Sequence, residues 1–272
     1  MRIVFDIGGT KIRVAASTNG RSLSHDPVVV KTPARFDEAM ALFAKVVQDI
    51  SLGSKIEAVI GGVPGEFDST KSSLIWSPNL SEWIGKPLRS SLGIATGCER
   101  VILNNDAALV GLGEAVYGAG KGFPIVAYIT ISTGVGGARI IREKIDEARH
   151  GFEPGHQIID LSSHSTLESL VSGSALKARL GKDPRNVSDP SVWEKLARQT
   201  AVGLYNLNLF WSPDVIVLGG SMIIGDPAIS LPLIRAELNK LPSPFPMPVI
   251  KQSTCGDFGG LFGALTHSRQ LL

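Results

Sequence analysis

The chain has 272 residues, of which 43% are hydrophobic and 19% are charged, and its formal net charge is +2. That length is sufficient for one large or two smaller globular domains with buried cores. The near-neutral charge, without a run of Lys and Arg, excludes the electrostatic footprint of a nucleic-acid-binding protein. No apolar stretch is long enough to cross a bilayer and no signal-peptide core follows Met1, so we expect a cytoplasmic location. We expect Cys98 and Cys255 to be reduced and assign them no chemistry.

The first half of the chain alternates predicted strands with predicted helices. Apolar residues alternate over 2–6 and 12–16, which predicts two strands joined across Gly8-Gly9-Thr10. A third strand is predicted at 28–31. The other elements predicted in this half are a helix over 36–50 with Phe36, Met40, Phe43 or Ala44, and Val47 on one face, a strand within 55–63, a strand within 100–106 and a helix that begins near Asp106.

The second half repeats the opening pattern. Residues 125–141 again place a glycine-rich turn between two predicted strands, as residues 3–16 do in the first half. Because strands and helices intermix throughout, the sequence predicts an α/β fold. The recurring unit predicts a duplicated lobe with a cleft between the two copies. The later predicted elements are helices over 165–180, 190–210, 231–241 and 259–270, a buried strand within 213–221 and a proline-rich surface connection at 241–248.

Three glycine-rich turns follow predicted strands, at 6–10, 133–137 and 219–220. Glycine leaves backbone N–H groups open to an anion, and it reaches the positive φ values that aim successive N–H groups at one phosphate. A single glycine pair is weak evidence, because hairpin turns use glycine for purely conformational reasons. Three such turns at strand ends, two of them with a hydroxyl residue, favour a bound nucleotide.

Two other phosphate-binding motifs do not fit the sequence. A Walker A loop that ended at Lys121 would need glycine at Ala115 and a hydroxyl residue at Gly122. A dinucleotide-binding fingerprint would need its glycines to open a helix, whereas 134–137 leads into a predicted strand. Neither motif therefore accounts for the glycine turns.

Six short segments spread over almost the whole chain carry a family resemblance. In chain order they read DIGGTK, NNDA, STGVGGA, EPGH, LESLVSGSAL and SPDVIVLGGS. Together they resemble the ROK family (repressor, open reading frame, kinase). The resemblance implies the fold of the actin and hexokinase superfamily, with two duplicated ribonuclease-H-like lobes and a cleft between them. It also implies a smaller N-terminal lobe at 1–104, joined by the C-terminal helix at 256–272, and a larger lobe at 105–255.

The same resemblance implies ATP and Mg²⁺ as cofactors. Asp6 would lie near the metal ion, and Lys11 would reach a phosphate. The residues implied to bind the phosphates are Gly8, Gly9 and Thr10 in the first turn and Thr133, Gly134, Gly136 and Gly137 in the second, with Gly219 and Gly220 near the adenosine.

The sugar-binding residues implied by the resemblance are polar, as hydrogen bonding to hydroxyl groups requires. Asp106 is the candidate base that accepts the proton of the attacking hydroxyl. An Asp before an apolar helix is also a common N-cap, and without the resemblance that interpretation is the stronger one. The implied sugar ligands are Gly65, Asn79, Asn105, Asp106, Glu153, His156 and Glu168.

The sequence departs from the family pattern in three places. Many members bind a structural zinc with the residue at His156 and three nearby cysteines, but QIIDLSSHST follows His156 here and contains no cysteine. His164 alone cannot rebuild a tetrahedral site, so we expect no structural zinc. Ala108 and Asn104 replace residues that are often Asn and acidic, respectively, which leaves the fine substrate specificity open.

Three functions are compatible with the resemblance. The first is a kinase that transfers the γ-phosphoryl group of MgATP to a hexose, with glucose the first choice and N-acetylmannosamine or fructose the alternatives. The second is a transcriptional repressor, which would need a helix-turn-helix domain before the segment that starts at Asp6, where we expect no room for one. The third is a non-catalytic sugar-binding regulator. The resemblance further implies a homodimer with a hexose as partner, and we expect neither nucleic acid nor membrane as a partner.

Overall fold

A computed structural model describes residues 1–148 and 151–272, and both sheets and helices run through the whole described chain. The strands are β1 (Arg2–Ile7), β2 (Lys11–Ser17), β3 (Val28–Lys31), β4 (Ala58–Val63), β5 (Glu66–Phe67), β6 (Leu74–Trp76), β7 (Val101–Asn105), β8 (Ile125–Ile131), β9 (Val135–Ile141), β10 (Lys144–Ile145), β11 (Ile158–Asp160), β12 (Ser165–Thr166), β13 (Val215–Gly219) and β14 (Val249–Gln252). The α-helices are α1 (Phe36–Ser51), α2 (Leu88–Thr96), α3 (Asp106–Val116), α4 (Leu167–Val171), α5 (Gly173–Leu180), α6 (Pro190–Trp211), α7 (Ser221–Ile224), α8 (Leu231–Leu238) and α9 (Gly259–Leu271).

The first five-stranded sheet has the order β3-β2-β1-β4-β7. β1 and β2 form the predicted hairpin, with Ile7 opposite Ile12, and β1 pairs in parallel with β4, which pairs in parallel with β7. All six residues of β4 are buried, because a parallel central strand is covered by helices on both faces. One face packs on α1, where the rings of Phe5 and Phe43 meet edge to face at 5.3 Å.

The second five-stranded sheet has the order β10-β9-β8-β13-β14 and repeats the connectivity of the first. β8 and β9 form an antiparallel hairpin, and β8 pairs in parallel with β13, which pairs in parallel with β14. Its core includes Leu196 and Leu204 of α6 and Ile216 of β13, all almost completely buried. The predicted α/β fold with a duplicated strand-turn-strand unit is therefore confirmed.

The chain separates into two compact units, one formed by 1–116 with 256–272 and the other by 117–255. The first unit thus includes α3 and ends twelve residues later than the sequence resemblance implied, at Val116 instead of residue 104. The reason is the contact between α3 and α9. A β-carbon added to Gly263 would collide with the backbone carbonyl of Leu109, and one added to Gly113 would collide with the carbonyl of Gly259.

Several predicted element boundaries need correction. The single helix predicted at 165–180 is two helices, because Ser172 ends α4 and its side chain accepts a hydrogen bond from the N–H of Ala175 in α5. The helix predicted at 231–241 ends at Leu238, and the proline-rich segment at 241–248 is irregular and lies at the surface without a buried residue, as predicted. Among the described residues, no helix combines the length and the hydropathy needed to cross a bilayer.

The backbone contact between α3 and α9 gives a stability prediction. We expect Gly263→Ala to lower the free energy of unfolding by about 2 kcal/mol or more, because the new methyl group forces the two helices apart. This loss outweighs the gain of about 1 kcal/mol that alanine brings in helix propensity. Urea unfolding followed by circular dichroism measures the change. Leu271→Ala, on an exposed position of the same helix, is the control, and an equally small shift in both variants would contradict the prediction.

Candidate functional site

In the first unit, the predicted site residues gather at one edge of the sheet. The parallel strands β1, β4 and β7 end at Ile7, Val63 and Asn105, and parallel strands that pair in register end at the same edge. Ligands of open α/β sheets bind outside this carboxyl edge. The glycine turn after β1, Gly65 after β4 and Asp106 after β7 are therefore neighbours, although they are far apart in the sequence.

The turn after β1 is exposed but held firmly. The N–H of Gly8 donates to the carbonyl of Lys11 at 2.9 Å, and the Thr32 hydroxyl donates to the carbonyl of Gly8 at 2.7 Å. Asn79 packs against the turn, since a β-carbon added to Gly9 would lie 2.5 Å from its Cβ. Gly8 and Gly9 do not have positive φ, contrary to the sequence prediction. Glycine is required at Gly9 because Asn79 leaves no space for a side chain.

Asp6 lies at the end of β1 with its side chain only 14% exposed. Arg13 on β2 donates to its Oδ2 at 3.2 Å. Burial raises the pKa of Asp6 to about 6, although the Arg13 guanidinium lowers it in part. Oδ1 makes no hydrogen bond within the described part of the chain and points toward Gly260 of α9, whose added β-carbon would lie 3.3 Å from it.

Arg13 lies beside Asp6, although no motif in the sequence indicates it. Its second terminal nitrogen lies 3.5 Å from Oδ2 of Asp257, and the Lys11 ammonium lies 4.0 Å from the same atom. The predicted phosphate contact of Lys11 stays a prediction. The signal that could have indicated Arg13 is strand pairing, because Asp6 and Arg13 are directly opposite in the hairpin register. Their side chains therefore point to the same face of the sheet.

Asn105 and Asp106 have distinct roles at the start of α3. Oδ1 of Asn105 accepts the N–H of Ala108 at 3.2 Å, which is the geometry of an N-cap, and its amide donates to the carbonyl of Gly65 at 3.3 Å. Asp106 is the first helical residue, and its Oδ1 accepts the N–H of Ala107 at 2.9 Å. The interpretation of Asp106 as the helix cap is therefore wrong, because Asn105 occupies that position.

Gly62 and Gly65 let the backbone approach these two side chains. A β-carbon added to Gly62 would lie 2.9 Å from Cα of Asp106. Gly65 has φ +129 and faces the carbonyl of Trp76, so any side chain there would be both strained and blocked. The structure thus brings together the first-unit residues that the sequence proposed for the sugar, namely Gly65, Asn79, Asn105 and Asp106.

In the second unit, the glycine turn between β8 and β9 is shorter than predicted. β9 begins at Val135, so Gly136 and Gly137 lie inside the strand, opposite Thr130 and Ile129. The turn itself is anchored to the start of α5. The N–H groups of Gly173 and Ser174 donate to the carbonyls of Ser132 and Thr133 at 2.7 and 3.2 Å. Thr133 and Gly134 remain as the turn residues that are accessible to a ligand.

A cavity of about 480 Å³ opens beside this turn. It joins Ser132 and Thr133 to the start of α7, where Ser221 follows the third glycine pair, and the two serine hydroxyls lie 3.0 Å apart. Lys177 adds a positive charge, and Arg185 is paired with both oxygens of Asp183. The volume lies in the range of small-molecule sites. A larger cavity of about 620 Å³ lies beside α2, but none of the predicted site residues lines it.

Gly219 and Gly220 lie behind this cavity instead of lining it. Gly219 is buried, and a β-carbon added to it would lie 2.7 Å from Oη of Tyr128. Gly220 has φ +87 and faces the carbonyl of Ile131, so the positive φ predicted for the glycine turns is present here. The pair therefore shapes the entry to α7, and its predicted contact with adenosine stays a prediction.

The remaining predicted sugar ligands lie next to the second turn. Glu153 precedes and His156 ends a short 3-10 turn (Pro154–His156) that contacts β9 and α4, and both side chains are exposed. Glu168 lies on α4, and its Oε2 accepts the N–H of Val135 at 2.7 Å. The second unit thus gathers Glu153, His156, Glu168 and the glycine turn in one neighbourhood.

The donor set fits magnesium as the metal of a nucleotide site. Mg²⁺ in such sites is held by one or two carboxylates with water and phosphate oxygens, and Asp6 supplies one carboxylate with one oxygen left for a ligand. In residues 1–148 and 151–272, no group of three or more His, Cys, Asp or Glu side chains is arranged to hold a metal ion. The expectation that the protein has no structural zinc stays a prediction.

The raised pKa of Asp6 predicts a pH dependence of stability. Because the folded chain holds the Asp6 proton more tightly than the unfolded chain, this contribution is fully present below pH 3.8 and is lost as the pH rises through about 6. In metal-free buffer, Asp6→Asn should match the wild type near pH 4 and exceed it by up to about 3 kcal/mol near pH 7.5. Urea unfolding at both pH values measures this difference. A constant difference across the range would contradict the raised pKa.

Proteins of known family and structure are similar to this chain over almost its whole length. The model of the ROK family matches residues 2–270. A glucokinase of Streptomyces coelicolor is 26% identical over 99% of this chain and 98% of its own, and the N-acetyl-D-glucosamine kinase of Escherichia coli O1:K1 is 25% identical over 96% of each. The crystal structure of a ROK family glucokinase from Streptomyces griseus, in complex with glucose and AMPPNP, superposes with a TM-score of 0.81 at 27% identity and covers 99% of both chains. The chain therefore belongs to the ROK family and has the actin/hexokinase-like fold of its sugar kinases.

Proposed function

We propose that this protein is a kinase that transfers the γ-phosphoryl group of ATP to a hydroxyl group of a hexose. The observation that carries the proposal is the cavity of about 480 Å³ between the glycine turn at Thr133 and the start of α7, because hydroxyl groups and the Lys177 ammonium line a space of that size. The carboxylates and amides at the sheet edge of the first unit supply the groups that the chemistry needs. Family membership and the nucleotide bound in the Streptomyces griseus relative support the same function.

The nucleotide part of the mechanism depends on backbone groups and fixed charges. Phosphoryl transfer is catalysed mainly by positioning and by stabilisation of charge on the phosphate oxygens. In the second unit, the accessible backbone at Thr133 and Gly134 is what we assign to those oxygens, and Lys177 adds a cation at the cavity beside it. Asp6 would hold Mg²⁺, which when bound neutralises charge on the phosphates. Arg13 keeps Oδ2 of Asp6 occupied, which leaves Oδ1 to bind a ligand.

Asp106 is the residue to which we assign the general base. Its carboxylate is held at the end of β7 by the N–H of Ala107, and it is partly buried. In the reaction, the sugar hydroxyl loses its proton to this carboxylate as its oxygen bonds to the γ-phosphorus and ADP leaves. Asn105, whose amide is fixed by capping α3 and by Gly65, would orient the sugar beside it.

Glucose is the substrate we propose first, with N-acetylmannosamine and fructose as alternatives. Two glucokinases among the relatives support glucose, whereas the related N-acetyl-D-glucosamine kinase supports an N-acetylated sugar. A non-catalytic sugar-binding regulator is the alternative of another class, and the presence of Asp6, Asp106 and the turn at Thr133 speaks against it. A cytoplasmic location and a homodimer are part of the proposal; the location rests on the sequence and the homodimer on the family resemblance.

The proposed function is tested directly by sugar-dependent ADP release. We expect turnover with MgATP to rise on addition of glucose, and we would compare glucose with mannose, fructose, N-acetylmannosamine and N-acetylglucosamine in a coupled assay. A different preferred sugar would correct only the substrate. If none of the five stimulates ADP release, while calorimetry still detects sugar binding, the regulator replaces the kinase as the best interpretation.

The role of Asp106 is tested by Asp106→Asn. Because Asn105 caps the helix, this change should leave the thermal midpoint nearly unchanged. The amide cannot accept the hydroxyl proton, so we expect kcat to fall by at least about 10²-fold. Sugar affinity should change little, since the amide oxygen still accepts a hydrogen bond.

Asp49→Asn, at an exposed position of α1, is the matched control and should keep full activity. Both variants are measured for kcat and for the thermal midpoint on the same preparation. If Asp106→Asn retains most of its turnover, Asp106 is not the base.

A further inference from the structure

The carboxylate of Glu168 takes part in the structure of the second glycine turn. Its Oε2 accepts the N–H of Val135, the residue at which the turn passes into β9, at 2.7 Å. A β-carbon added to Gly134 would lie 2.6 Å from the same oxygen. The carboxylate therefore occupies the space next to Gly134 where any other residue would place its own side chain.

The backbone that carries Glu168 is fixed from several sides. Thr166 caps α4 by accepting the N–H of Ser169 at 3.2 Å, and the Ser169 hydroxyl donates back to the carbonyl of Thr166 at 2.8 Å. Leu167 is buried and packs against Gly203 of α6, where an added β-carbon would lie 2.6 Å from its side chain. Glu168 is thus presented to the turn from a rigid support.

The turn has two kinds of attachment to this support. On the side of Ser132 and Thr133, the partners are the backbone N–H groups of Gly173 and Ser174, which no substitution of side chains removes. On the side of Gly134 and Val135, the partner is the side chain of Glu168. The N–H of Ser132 also donates to the carbonyl of Gly134 at 2.8 Å, so the carboxylate of Glu168 is the side-chain part of the attachment on this second side.

The other oxygen of this carboxylate is oriented away from the turn. Oε1 lies 4.0 Å from the position of an added β-carbon on Gly134 and makes no hydrogen bond to any part of the chain that the structure describes. The half-buried side chain also lies in the neighbourhood of the turn that carries Glu153 and His156, since α4 contacts that turn. Oε1 is therefore the oxygen that remains for a sugar hydroxyl.

We propose that Glu168 is a positioning residue for the nucleotide, which holds Gly134 and Val135 in the conformation that binds phosphate while its second oxygen binds the sugar. This inference rests on the proposed kinase function. A hydroxyl group that binds Oε1 restricts rotation of the carboxylate and so favours the orientation that holds Val135. Binding of sugar and binding of nucleotide then strengthen each other, and the coupling is reciprocal.

The experiment measures the affinity of AMPPNP with Mg²⁺ by calorimetry, first without sugar and then with saturating glucose. The variants are Glu168→Ala, which removes both oxygens, and Glu168→Gln, whose amide oxygen still accepts the N–H of Val135. Glu168→Asp keeps the charge but is too short to reach Val135, and it replaces the alanine variant if that chain does not fold. Glu194→Ala, at an exposed position of α6, controls for the loss of a carboxylate in the same unit.

Without sugar, we expect Glu168→Ala and Glu168→Asp to bind AMPPNP about tenfold more weakly than the wild type, because a hydrogen bond to a charged group is lost. We expect Glu168→Gln to stay within about threefold, since the loop contact is kept. Glucose should tighten AMPPNP binding in the wild type and should do so much less in the alanine variant. Thermal midpoints within a few degrees of each other separate this effect from a general loss of structure.

If Glu168→Ala binds AMPPNP as tightly as the wild type but binds glucose more weakly, Glu168 is a sugar ligand only. That result would overturn the inference. If the wild type does not bind AMPPNP at all, the proposed function fails, and amide hydrogen exchange then decides the positioning role by itself. Exchange at Gly134 and Val135 should be at least about tenfold faster in Glu168→Ala than in the wild type or in Glu168→Gln. Equal exchange in all three proteins would overturn the positioning role as well.

Discussion

Parallel pairing of strands is the constraint on which both units depend. In each sheet, a hairpin supplies the first strand of a parallel set of three, so that three chain segments turn at the same edge. The central strands β4 and β13 are buried throughout their length. The helices that cover them must therefore turn apolar faces toward the sheet. Polar residues that would be unfavourable inside the sheet are thereby placed at its carboxyl edge, next to the glycine turns.

Glycine contributes to this fold mainly through the absence of a side chain. Gly113 and Gly263 allow α3 and α9 to meet backbone to backbone, and Gly9 and Gly134 make room for Asn79 and Glu168. Only a few glycines near the site, such as Gly65 and Gly220, need a positive φ. The same property that exposes backbone N–H groups to a phosphate also lets polar side chains approach the turns that we propose as phosphate sites.

Carboxylates near the turns serve structure and chemistry together. Asp6 is buried enough for its pKa to rise to about 6, yet Arg13 holds it in an ion pair, so that its charge is available close to neutral pH. Glu168 uses one oxygen to hold the second turn. In both cases a group that would be costly to bury alone is stabilised by a partner and retains one oxygen that faces away from that partner. Such arrangements are typical of sites that bind charged ligands.

The sequence by itself determined the α/β class, the repeated hairpin, the buried face of the helix at 36–50 and, through six short segments, the family. These features depend on local periodicity and on the order of motifs, both of which are properties of the chain alone. Only the tertiary structure decided that Asn105 and not Asp106 caps α3, that Arg13 pairs with Asp6, and that α3 belongs to the first unit. It also showed that Glu168 binds the turn at Val135, 33 residues earlier in the chain. In each of these cases the sequence is compatible with more than one contact partner. Glycine positions and strand register set the distances between backbones, and these distances determine which partner is in contact.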